Sequence, residues 1–149
     1  MKIKELSESL DQSQRSSIQT GTVGKSLAFK LRGLIKKLIR KHATGDDWEI
    51  KKHSADLGLY YNGQDLASAK ATGFEILGDL YDLFQLGKAR EITRTKKVED
   101  TPERVTYEVI PTHEPGQKGK APQISFTFNK QAQQGDAVIG ILIQPDWDA

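Results

Sequence analysis

The chain has 149 residues and no cysteine, which excludes disulfides, thiolate metal sites and cysteine nucleophiles. With 36% hydrophobic and 28% charged residues it has the composition of a soluble globular chain, long enough to enclose one sizeable core. Its formal net charge is only +2, yet residues 21–45 hold seven Lys/Arg and no acid, while residues 46–87 hold three basic and eight acidic groups. Neighbouring blocks of opposite sign either lie against each other in the fold or leave the basic block facing an anionic partner.

The N-terminal stretch MKIKELSESLDQSQRSS lacks the apolar core of a leader peptide, and the longest apolar run, AVIGILI, is too short to cross a bilayer. A cytoplasmic protein without membrane contact is therefore expected. Residues 1–20 show no sustained apolar face and read as a frayed helix or a flexible N-terminal arm before a single domain over 21–149. A loop at Thr20-Gly21-Thr22-Val23-Gly24 leads to a helix capped by Ser26 and running to about Ala43, with Gly45 as its stop. Arg40, Lys41 and His42 stand at its end, where the helix dipole favours cations.

On that helix Leu27, Leu31, Leu34, Ile35, Leu38 and Ile39 fall on one arc. Lys25, Lys30, Arg32, Lys36, Lys37, Arg40 and Lys41 occupy the remainder, together with Phe29 and Gly33. A glycine inside a helix costs about 1 kcal/mol relative to alanine, so Gly33 predicts a close approach by a backbone or a phosphate.

Alternation at Trp48 and Ile50, then at Leu57, Leu59 and Tyr61, predicts two strands, and Asn62-Gly63 a turn. A second helix is expected from about Asp65 to Leu86, ended by Gly87. Leu66, Phe74, Leu77, Leu80, Tyr81, Leu83 and Phe84 form its apolar surface; Ser68, Thr72, Glu75, Asp79 and Asp82 form a polar stripe. AREITRTKKV, ERVTYEVI, QISFTFNK and AVIGILIQ then read as a meander, the last apolar on both faces like a central strand. The fold class that follows is α+β: two main helices on a mostly antiparallel sheet, in the order α-β-β-α-β-β-β-β.

Gly24-Lys25-Ser26 matches the end of a Walker-type phosphate loop, but Gln19 stands where its first glycine belongs, and QSQRSSIQ before it cannot be the buried strand such a loop leaves. Glu49-Ile50-Lys51 has the E-x-K form of some metal-dependent nucleases, yet the acids ahead of it, Asp46 and Asp47, are too close to come from a separate strand. His42, His53 and His113 share no metal-ligand spacing, so no metal site is assigned. His53 with Asp56, or His113 with Glu114, would do acid–base work only inside a pocket built around it. The reading leans against an enzyme, with no catalytic residue and no cofactor.

Several features of the basic surface agree with one another. The candidate nucleic-acid contacts are Lys30, Arg32, Lys36, Lys37, Arg40 and Lys41 on the first helix, with Phe29 to stack on a base. Arg94 and Lys96 on a strand, and Lys118 and Lys120 in the loop PTHEPGQKGKAP, extend the set. The expected partner is DNA or RNA, contacted through phosphates rather than base edges. The competing expectation is an assembly component, an inhibitor, adaptor or particle subunit, whose basic helix docks on an acidic protein surface, possibly the Glu75–Asp82 stripe of a second copy in a homo-oligomer.

Overall fold

The computed structural model describes residues 10–53, 56–85, 94–110 and 123–145. Among these it forms helices α1 (Gln12–Thr20), α2 (Lys25–His42) and α3 (Leu66–Gln85) and strands β1 (Trp48–His53), β2 (Asp56–Tyr61), β3 (Arg94–Asp100), β4 (Arg104–Ile110), β5 (Ile124–Asn129) and β6 (Ala137–Ile143). The α+β class read from the sequence stands, with a third helix beside the two main ones.

The additional helix is α1. Asp11 accepts the Gln14 backbone N–H at 2.8 Å, and the Gln14 side chain accepts the Asp11 N–H at 3.0 Å, a reciprocal capping box. Gly21 closes the helix in the left-handed conformation, φ 75°. Among the described residues Leu10 and Ile18, at 3% and 2% exposure, are the buried hydrophobic side chains of this segment, in the same buried cluster as the other elements. Two apolar residues among Ser and Gln are too few to register as a periodic face.

The helix α2 begins at Lys25 with Gly24 as its N-cap, not at Ser26, and no side chain caps it. Buried Val23, whose N–H is held by the Gln123 side chain at 3.2 Å, delivers the chain to the helix early and leaves Ser26 exposed in the first turn. At the other end Gly45 adopts φ 103°, the left-handed turn expected of it.

All six strands form one antiparallel sheet in the order β1-β2-β6-β5-β4-β3. The β1–β2 hairpin joins the β3–β6 meander through β2–β6 pairing, Leu57 opposite Ile141 and Leu59 opposite Ile139. Strand β6 is thus central, as its apolar sequence predicts. One face carries Leu57, Leu59, Phe126, Phe128, Ile139 and Ile141, all buried beneath α2 and α3. The other carries half-buried Thr106, Ser125, Thr127 and Gly140, the alternation of a sheet with one wetter side. The edges are guarded: β1 exposes Lys51, Lys52 and His53, and β3 is broken by a bulge between Lys97 and Glu99.

In α3 the sequence assigned Phe74 to the core, but its ring is 67% exposed and Ile76 is fully buried instead. Gly73 explains the difference. Its backbone lies so close to the sheet that a Cβ there would stand 2.6 Å from Val138 Cγ1 and 2.8 Å from Phe128 Cε1. With Gly73 against the sheet, its neighbour is turned outward by the helical step of roughly 100°. Among the described residues no helix is long and apolar enough to cross a membrane. Gly73→Ala is expected to destabilise the fold by about 1–3 kcal/mol through overpacking, read as a lower midpoint in chemical denaturation.

Candidate nucleic-acid interface

Seven residues of α2 are buried: Leu27, Ala28, Leu31, Leu34, Ile35, Leu38 and Ile39. Because the helix repeats every 3.6 residues, burying that arc turns Phe29, Gly33, Lys36, Lys37 and Arg40 to the opposite side. Phe29 is 71% exposed, Lys37, Arg40 and Lys41 are exposed, and Lys36 is half-buried. None of these four cations takes part in an ion pair among the described residues. Gly33 has nothing within 4 Å of where a Cβ would sit, so packing within the described residues does not account for it.

Two of the helix cations have other duties. Lys30 donates to Gln14 Oε1 at 2.9 Å, fastening α2 to α1. Arg32 donates through Nη2 to the Ile143 carbonyl at 2.6 Å, tying α2 to the end of β6, while its buried Nε has no hydrogen-bond partner. The outward set is thereby narrowed to Lys36, Lys37, Arg40 and Lys41. Lys52 of β1 joins it, its Nζ 5.9 Å from the Phe29 ring centroid. That neighbour was missed in the sequence, because it follows only from the seating of β1 beside the first half of α2.

The strand residues lie elsewhere. Arg94 pairs in register with Ile110 and Lys96 with Glu108 on β3, the edge strand, whereas α2 packs against β6. Three strand spacings of about 4.8 Å separate the backbone of β3 from that of β6. Lys118 and Lys120 fall outside the described residues, as does His113.

Toward the end of β3 three cations are matched by acids. Lys130 Nζ stands 2.8 Å and Lys97 Nζ 3.2 Å from the Asp100 carboxylate, and Arg104 Nε pairs with Glu99. Hydrogen bonds from Lys130 and then Lys97 hold the Asp100 carboxyl below its ordinary range. The hydrogen bond to Asp100, followed by the charges of Tyr107 and Asp100, raises Lys97; that to Glu99 raises Arg104. The basic and acidic blocks of the sequence meet at His42. Its Nδ1 stands 3.3 Å from Glu75 and its Nε2 2.5 Å from Asp79, bridging α2 to α3. Asp82 makes no ion pair among the described residues.

The other motifs gather no chemistry around them. Gly24-Lys25-Ser26 follows a helix, α1, rather than a strand. Glu49 and Lys51 face each other at 4.0 Å on exposed β1, with Lys51 Nζ also 4.7 Å from the Tyr60 ring. Exposed His53 ends that strand, opposite Asp56 in register. Among the described residues no three His, Asp or Glu side chains form a cluster able to hold a metal ion.

No family model matches this chain, and neither does any curated protein or solved structure. Because a methyl at position 33 meets open space, Gly33→Ala is expected to stabilise the protein by about 1 kcal/mol, seen as a raised melting temperature.

Proposed function

We propose that this protein is a non-enzymatic module that binds nucleic acid through its phosphates, using the outward face of α2. The observation that carries the reading is the stripe formed by Lys36, Lys37, Arg40 and Lys41, unmatched by carboxylates among the described residues, beside a bare Phe29 ring. From Phe29 to Arg40 the helix rises about 16 Å, enough to follow several phosphates of one strand. Lysine and arginine heads there gain affinity by releasing condensed counterions, and Phe29 offers a face on which an unpaired base stacks. Lys52 adds a cation at the rim of that ring. Arg32 and Lys30 support the face from behind. Arg94 and Lys96, at the far edge of the sheet, are left out of it. The working unit is a single cytoplasmic domain that takes in α1 as well as the residues from 21 onward.

Contact with four phosphates gives a log–log dependence of affinity on salt with a slope of about −3 to −4, measured by fluorescence anisotropy on oligonucleotides. Lys37→Gln/Arg40→Gln is expected to flatten that slope by about 1.5. A wild-type response independent of salt would remove the reading. Phe29→Ala is expected to weaken single-stranded ligands by about 1–3 kcal/mol per stacked base and to leave duplex binding unchanged.

A further inference from the structure

The outward side of α3 repeats the design of α2 with the opposite charge. On α2 an exposed Phe29 is followed four residues later by Gly33, with Lys36, Lys37 and Arg40 alongside. On α3 Phe74, 67% exposed, is followed four residues later by Gly78, which also has nothing within 4 Å of a Cβ position. Exposed Glu75 and Asp82 flank that pair, and exposed Lys70 stands one turn before it. The Phe74 ring meets that of Phe128 edge-on, at 6.2 Å between centroids.

The two helices lie side by side on the same face of the sheet, joined where His42 meets Glu75 and Asp79. Their outward surface therefore has a basic half and an acidic half, each with an apolar ring beside a stretch of bare backbone. We propose that this two-helix layer is a self-complementary docking surface for a second copy of the chain.

A twofold axis in the plane of the layer, between α2 and α3, lays the basic half of one copy on the acidic half of the other. Each contact then occurs twice, as an isologous interface requires. Because His42 sets the level of α2 against Glu75 and Asp79, Lys37 and Arg40 of one copy come over the acidic stretch of α3 in the other. A second copy is favoured over other occupants because the complementary charge is present on this one chain.

The inference relies on the outward seating of α2 and does not need the nucleic-acid reading, although the two uses of α2 exclude each other. A copy docked through α3 occupies the phosphate-binding stripe, so the acidic face of one molecule acts as a competitor for nucleic acid on the next.

The test uses the full chain in light scattering and sedimentation at low salt. Wild type is expected at twice the 16.6 kDa chain mass, reverting to the single mass as salt screens the contacts. Glu75→Lys/Asp82→Lys and Lys37→Glu/Arg40→Glu are each expected to be monomeric, since each presents two faces of one sign. Mixed together they are expected to form a one-to-one dimer, because every interface is then again basic against acidic. That rescue also shows that both variants are folded. A monomeric wild type, variants that still dimerise alone, or a mixture that stays monomeric would each overturn the proposal. Nucleic-acid binding is read separately on Glu75→Lys/Asp82→Lys, which keeps α2 intact: its loss there with rescue preserved defeats the nucleic-acid reading alone.

Discussion

The seating of α2 on the sheet is the constraint from which the rest of the molecule follows. Burying a Leu or Ile side chain is worth about 1.5–3 kcal/mol, and six such residues of α2 are buried together. Turning the helix about its axis would expose several of them and push lysines toward the core. No arrangement of surface charge competes with that. Lys36, Lys37, Arg40 and Lys41 face outward because the leucines and isoleucines of α2 must face inward, and Phe29 and Gly33 are carried outward with them by the same periodicity.

Charge is handled differently at the two ends of the sheet. Around β3 and β4 three cations are matched locally, Lys97 and Lys130 by Asp100 and Arg104 by Glu99. These groups are exposed, and such pairs add little to stability. On α2 His42 meets acids that come from α3, while Lys36, Lys37, Arg40 and Lys41 enter no ion pair among the described residues. The surplus positive charge of residues 21–45 is therefore concentrated on one helical face.

That concentration joins the two proposals. A face with unmatched cations and a bare aromatic ring suits a nucleic-acid backbone and also suits an acidic, aromatic protein surface, and α3 supplies such a surface on the same chain. Positions 33 and 78 are consistent with both, since each lays bare helix backbone where the described residues require none of it. A module built this way links its state of association to the presence of its ligand, because both draw on the same lysines and arginines.

Periodicity alone determined a great deal here. The long helices, the meander and the central place of AVIGILI follow from apolar spacing, because burial of a face acts over many residues and leaves a repeated signal. Residues 12–20 escaped that test because α1 is held by Leu10, Ile18 and a capping box rather than by a stripe, although Asp11 and Gln14 three residues apart were a readable cue. The tertiary structure alone decided which cations stay available. Sequence spacing placed Arg32 and Lys36 on the same polar side. Only the seating of α2 against α1 and β6 brings Gln14 to Lys30 and the Ile143 carbonyl to Arg32, and only strand order sets Arg94 and Lys96 three strands away. Local chemistry fixes which way a side chain leaves its own element; what it meets there depends on contacts between residues far apart in the chain, which no local pattern encodes.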